Sequence, residues 1–219
     1  MYKVVEKFVS INGEGTHSGQ LAVFIRFAGC NLNCSFCDTT WANEKDVPYE
    51  EMSTEQILEY VSGKNINNIT LTGGEPLMQN NIEELIGALT DKQYYVEIET
   101  NGSVSLEKYK KITPPPSFTM DYKLPGSGME SKMDKDNLKL LTKNDTVKFV
   151  AGSKEDLERF SEVVKLYNLT DKCNVYLSPV FGKIKMEDMV DFMIDNNMNG
   201  VTLQAQLHKI IWDPDKRGV

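Results

Sequence analysis

The sequence predicts an α/β domain on a mostly parallel sheet, a partial (β/α)6-type barrel, and three observations carry that prediction. Short β-rich apolar runs recur at 21–27, 69–72, 94–99, 117–121, 146–150, 174–178 and 201–204. Amphipathic segments at 53–62, 81–90, 134–142, 154–167 and 185–196 alternate with them, the rhythm of βα units whose right-handed crossovers return each strand parallel to the last. The chain has 219 residues, short of the roughly 250 of a full eight-unit barrel, so a six-stranded core with some crossover helices shortened into loops fits the length. One domain, 1–219, is expected.

Taken in order, the run 21–27 is apolar apart from Arg26, as a strand buried on both faces requires. Ser53 or Thr54 can cap the first helix. Pro114-Pro115-Pro116 stops a helical pattern and leads into the strand at 117–121. Two polar loops, 31–52 and 123–135, far exceed the usual length of about 2–6 residues for a βα connection. Each follows the C-terminal end of a predicted strand, where loops tend to carry function.

Lys and Arg total 24 against 32 Asp and Glu, a formal net charge of -8. That excludes a broad electrostatic footprint for nucleic acid or anionic lipid and favours a small-molecule substrate. No apolar stretch reaches a membrane span and no signal-peptide pattern opens the sequence, so a cytoplasmic protein is expected.

The strongest chemical signal is Gly29-Cys30-Asn31-Leu32-Asn33-Cys34-Ser35-Phe36-Cys37-Asp38, a C-x3-C-x2-C loop after the strand at 21–27. Three thiols converge there with no fourth nearby. A closed structural zinc site or ferredoxin-type cluster takes four ligands, whereas an open position can bind and transform something. Cys173 precedes a strand, at the end opposite this loop if the strands are parallel, and reads as a small buried hydrophobe. With His17 and His208 as its two histidines, the chain assembles neither a His-rich metal site nor a His-based triad.

This loop, taken with Thr72-Gly73-Gly74-Glu75-Pro76 after the next strand, resembles the radical S-adenosylmethionine (SAM) superfamily. The resemblance implies a radical SAM barrel, a [4Fe–4S] cluster on Cys30, Cys34 and Cys37, and a fourth iron open to SAM. It places Gly74 and Glu75 at the methionine end of SAM and Phe36, Cys37 and Asp38 at the adenine end. Ser10-Ile11-Asn12-Gly13-Glu14-Gly15, Arg26, Cys37-Asp38-Thr39 and Lys216-Arg217-Gly218-Val219 together resemble the 7-carboxy-7-deazaguanine synthase family over nearly the whole length.

Membership there implies a lyase that converts 6-carboxy-5,6,7,8-tetrahydropterin to 7-carboxy-7-deazaguanine with loss of ammonia, on the way to queuosine, through a 5′-deoxyadenosyl radical. Carried over by motif, Ile11, Asn12, Gly13, Glu14, Thr72, Gln206, His208 and the carboxylate of Val219 contact the pterin. Arg26 pairs with its carboxylate, and Thr39 ligates Mg²⁺. Asp121, Tyr122, Lys123 and Ser178 contact SAM. Two departures stand out: Asn12 where the family usually has Gln, and Asp121-Tyr122-Lys123 where many members have Ser-Pro-Lys. An electron donor such as a flavodoxin or ferredoxin and a homodimer complete what the resemblance implies. Two alternatives remain: a glycyl-radical-enzyme activase, disfavoured by the Asn12-Gly13-Glu14 and Arg26 set, and a non-catalytic zinc or electron-transfer module, which has no need of the glycine edge.

Overall fold

In the computed structural model, which describes residues 1–214 and 216–219, the strands are β1 (Tyr2–Ile11), β2 (Leu21–Phe27), β3 (Glu50–Met52), β4 (Asn68–Gly73), β5 (Tyr95–Thr100), β6 (Ser117–Tyr122), β7 (Thr146–Ala151), β8 (Asn174–Pro179) and β9 (Val201–Leu203). The helices are α1 (Thr54–Ser62), α2 (Ile82–Asp91), α3 (Asn137–Leu140), α4 (Lys154–Tyr167), α5 (Leu169–Lys172), α6 (Met186–Asp195) and α7 (Leu207–Ile211). Among the described residues the strands form one open sheet in the order β3-β1-β2-β4-β5-β6-β7-β8-β9. From β2 to β9 every neighbouring pair is parallel, while β1 and β3 run antiparallel at the β2 edge. The expected mostly parallel, unclosed sheet is present: β2 and β4–β8 are its six long parallel strands, and the three-residue β9 extends it.

The edge pair β1 and β3 lies outside the expected set of strands. A register shift between Val4 and Glu6 interrupts the pairing of β1 with β2, so the side chains of β1 lose the strict alternation by which a strand is read. The crossovers are cut as the length requires. The expected helix at 134–142 is reduced to the four residues of α3, and 101–116 crosses from β5 to β6 with one 3-10 turn, Tyr109–Lys111, in place of an α-helix.

Successive strand residues face opposite sides, and here the two sides differ chemically. Ile69 and Leu71, Val96 and Ile98, Phe118 and Met120, Val147 and Phe149, and Val175 and Leu177 all belong to the apolar core. The intervening positions on β4 to β7 carry Thr70 and Thr72, Glu97 and Glu99, Thr119 and Asp121, and Thr146 and Lys148. Two of the helices on the apolar side, α1 and α4, start with serine caps. Ser53 Oγ accepts the Gln56 N–H at 3.3 Å while Gln56 Oε1 accepts the Ser53 N–H at 2.8 Å, and Ser153 Oγ accepts the Asp156 N–H at 3.2 Å. Covered by helices on one face and polar on the other, the sheet is left with a polar wall to line a site.

Candidate active site

A cavity of about 700 Å³ opens at the C-terminal ends of the parallel strands, the edge on which α/β proteins build their sites because the connecting loops converge there. Cys30, Cys34 and Cys37 line it. Their loop seats on the glycine edge after β4: the Glu75 N–H donates to Gly29 O at 2.8 Å and the Gly74 N–H to Phe27 O at 3.0 Å. A Cβ on Gly74 would stand 1.9 Å from Gly29 O, so backbone approach this close excludes any side chain. Burial pushes the Cys34 and Cys37 thiols up, and for each the Lys123 ammonium pulls partly back.

Among the described residues no three Cys, His, Asp or Glu side chains are drawn together tightly enough to hold one ion, so what fits this loop to an iron–sulfur cluster is its donor set. Three thiols meet one cavity, Lys123 supplies a cation beside them, and Cys30 Sγ accepts Asn101 Nδ2 and the Leu32 N–H, each at 3.4 Å. Thiolates are the ligands of such clusters, and hydrogen bonds to sulfur tune them.

Around the same cavity stands a ring of charge. Arg26 Nε pairs with Glu6 Oε2 at 3.0 Å, both opposite each other in the β1–β2 register. Lys148 Nζ lies 2.6 Å from Glu14 Oε2 and 3.2 Å from Asp121 Oδ1, and Lys123 Nζ lies 3.0 Å from Asp121 Oδ2. Burial pushes the Asp121 carboxyl up, but Lys123 and Lys148 outweigh it and hold the group below its usual range. Burial likewise pulls Lys148 down, yet Asp121, Glu14 and Glu99 keep its ammonium well above the ordinary lysine value. One acceptor in this ring, the buried Glu14 Oε1, receives no hydrogen bond, whereas the buried Asp121 Oδ1 faces the Lys148 ammonium at 3.2 Å.

The C-terminal segment covers the mouth. The Leu207 N–H donates to Gly13 O at 3.3 Å, Lys209 Nζ lies 3.3 Å from Asp38 Oδ2, and the Arg217 guanidinium sits 4.2 Å from the centre of the Trp41 ring. His208 packs on Gly13 so closely that a Cβ there would come within 2.6 Å of Nδ1. Burial holds the His208 imidazole below its ordinary value.

Of the residues expected from sequence, Ile11, Gly13, Glu14, Arg26 and Thr72 line the cavity, as do Phe36, Asp38, Thr39 and Gly74 beside the cysteines. Asp121, Lys123, Gln206, His208 and Val219 complete that wall. Four others are not on it. Asn12 is buried in the β1–β2 turn, where its Oδ1 accepts from Thr70 Oγ1 at 2.9 Å. Glu75 is fully buried and consumed by three donors: the Leu77 N–H at 3.1 Å, Thr100 Oγ1 at 2.8 Å and the Asn101 N–H at 2.6 Å. Tyr122 shares a side of β6 with Phe118 and Met120, within the core, and donates to Glu130 Oε1 at 2.8 Å. Ser178 is fully buried at the end of β8.

Sequence reading missed Lys148, Glu6, Trp41 and Lys209 as lining residues. The signal for Lys148 was the period-2 recurrence of polar residues inside strands that read as apolar runs. The cysteine loop, by contrast, is where it was expected.

A model of the Radical SAM superfamily matches residues 24–121. The chain is 60% identical over 219 residues to the 7-carboxy-7-deazaguanine synthase of Clostridium acetobutylicum, covering 100% of this chain and 99% of that protein. It is 36% identical to the protein of the same name from Leptospira interrogans, covering 99% and 97%. The crystal structure of QueE from Escherichia coli superposes with a TM-score of 0.75 at 23% identity, over 94% of this chain and 93% of that one, a likeness of fold.

Proposed function

The chain belongs to the 7-carboxy-7-deazaguanine synthase family of radical SAM proteins, and from that premise we propose that it converts 6-carboxy-5,6,7,8-tetrahydropterin to 7-carboxy-7-deazaguanine with loss of ammonia. The observation that carries the reading is a complementary pair of polar groups across one cavity. Arg26 offers forked donors suited to a carboxylate, and Glu14 Oε1 is a buried acceptor without a donor of its own. A pterin acid has both counterparts, a carboxylate and an edge of N–H donors.

When bound, the cluster on Cys30, Cys34 and Cys37 together with SAM supplies reductive carbon–sulfur cleavage and the hydrogen abstraction that follows. The protein's own residues bind, orient and exclude water. Glycines 73 and 74 let the backbone of Phe27 and Gly29 seat directly on the end of β4, which fixes this edge of the cavity, and Asp121 and Lys123 present fixed charges to the cofactor. Arg26 exchanges Glu6 for the substrate carboxylate, and Glu14 fixes the opposite edge. Gln206, His208, Lys209, Arg217 and Val219 enclose the cavity from the C-terminal side, which strengthens every charged contact inside. Thr39, which lines the cavity and whose hydroxyl donates to Asp38 Oδ1 at 3.1 Å, offers a hard oxygen for Mg²⁺, with substrate and water completing the shell.

Among the described residues no helix is long and apolar enough to cross a membrane. A cytoplasmic homodimer, acting as one domain and reduced by a flavodoxin or ferredoxin, fits the family reading. The test is anaerobic incubation of the reconstituted, reduced protein with SAM, Mg²⁺ and carboxytetrahydropterin, followed by mass analysis. The expected product is the deazaguanine acid. SAM cleavage without that product would overturn the substrate assignment.

A further inference from the structure

Lys148 sits in the middle of β7, where the family motifs place no functional residue, yet it lines the cavity. Its side chain is 11% exposed and its Nζ touches two carboxylates, Glu14 Oε2 at 2.6 Å and Asp121 Oδ1 at 3.2 Å. Glu14 is equally enclosed, with a side chain 10% exposed, and its second oxygen, Oε1, is buried and accepts nothing. A carboxylate with one oxygen pinned by an ammonium cannot turn without breaking that charged contact, so its other oxygen is held in one place. Leaving a buried acceptor empty costs free energy that a ligand N–H recovers.

From this geometry we infer that Lys148 is a positioning residue: it locks Glu14 through Oε2 so that Oε1 receives an N–H donor from the substrate's pterin ring. The inference rests on the functional reading above and extends it to a residue outside the motifs. Lys148 serves the two carboxylates unequally. Asp121 keeps Lys123 at 3.0 Å when Lys148 is removed, whereas among the described residues the ion pair of Glu14 is with Lys148. Loss of Lys148 therefore falls on the pterin far more than on SAM.

The experiment measures dissociation constants of the reconstituted holoenzyme for SAM and for 6-carboxy-5,6,7,8-tetrahydropterin, in wild type, K148M, E14Q and E14Q/K148M. K148M is expected to weaken the pterin about 30-fold or more, the scale of a truncated buried charge pair, while SAM binding changes less than about threefold. In the E14Q background K148M is expected to cost the pterin less than about threefold, since the group it positions is already altered. A purely structural lysine would cost the same in both backgrounds, and that result overturns the inference. If K148M does not accumulate folded, E14Q/K148M, which removes the pair together, is compared with E14Q. Equal pterin affinity supports the role, and a further loss of about 30-fold overturns it. Wild-type protein that binds no pterin overturns the functional reading and this inference together. Wild type that binds it, with K148M unchanged, overturns the role of Lys148 alone.

Discussion

Glu75 Oε2 accepts the backbone N–H of Asn101 at 2.6 Å, and that contact ties the loop after β4 to the loop after β5. With Thr100 Oγ1 and the Leu77 N–H on Oε1, the carboxyl is a three-point clamp under the cavity floor. Glu75→Ala strands three buried partners, each worth about 1–3 kcal/mol when unmet. A urea titration is expected to show a loss of several kcal/mol, reduced in Glu75→Gln, whose amide oxygen still accepts.

Cys30, Cys34 and Cys37 are expected to be individually indispensable for iron. Serine at any one of them removes the absorbance near about 400 nm and the bound iron after anaerobic reconstitution. Cys173→Ser keeps both. Cys173 is 3% exposed, precedes β8 at the other end of the sheet, and burial pushes its thiol up to about 11. Retained iron in Cys34→Ser would contradict the ligand assignment.

Gly74→Ala places a methyl 1.9 Å from Gly29 O and 2.5 Å from Asn43 Oδ1, so the backbone between β2 and the cysteines must move. The expected result is a stability loss of about 1–3 kcal/mol, typical of forced overpacking. SAM affinity of the reconstituted protein falls by about tenfold or more, roughly 1.4 kcal/mol, when measured by equilibrium dialysis. Unchanged SAM affinity would separate the glycine edge from cofactor binding.

These outcomes also mark what the sequence makes legible. The cysteine loop and the paired glycines announce themselves because their spacing serves few other purposes. Glu75 does not, since the letters Gly-Gly-Glu-Pro are the same whether the carboxylate faces a ligand or clamps two loops. Only the positions of Thr100 and Asn101, 25 and 26 residues away, decide it. Tyr122 was misplaced for a simpler reason: neighbours on a strand face opposite ways, so Asp121 on the cavity puts Tyr122 in the core. Lys148 was hidden in an apolar-looking run whose alternate residues are polar, and β1 by the register shift after Val4.

Burial, reinforced by Glu99, pushes the Glu97 carboxyl up to about 7 from an ordinary 4.5. The folded protein then keeps a proton that the unfolded chain releases, so this contribution to stability is complete below 4.5 and fades as pH rises through about 7. Unfolding free energy is expected to fall between pH 5 and 8 in wild type by up to about 3 kcal/mol more than in Glu97→Gln. Denaturant midpoints at the two pH values check it, and equal slopes would refute it.

Arg26→Ala is expected to raise KM for the pterin acid by about 30-fold or more, the cost of a lost charge-assisted pair. A tetrahydropterin lacking the carboxylate should bind wild type and variant alike. Steady-state kinetics and competition binding read the two arms, and discrimination between the ligands that survives in the variant would sink the assignment.

The sheet is open, yet the side-chain amide of Gln204 ties its far end back to the loop after β1. Gln204 Oε1 accepts the Gly15 N–H at 2.8 Å, and Gln204 Nε2 donates to Gly15 O at 3.1 Å, joining residues 189 apart in the chain. A contact of such separation forms late, because the intervening loop must first be ordered. During synthesis the cysteine loop and its glycine seat leave the ribosome long before residue 204 does. A growing chain therefore holds a cluster-binding loop with no wall opposite it, and the enclosed chamber comes into being only when the last strand docks.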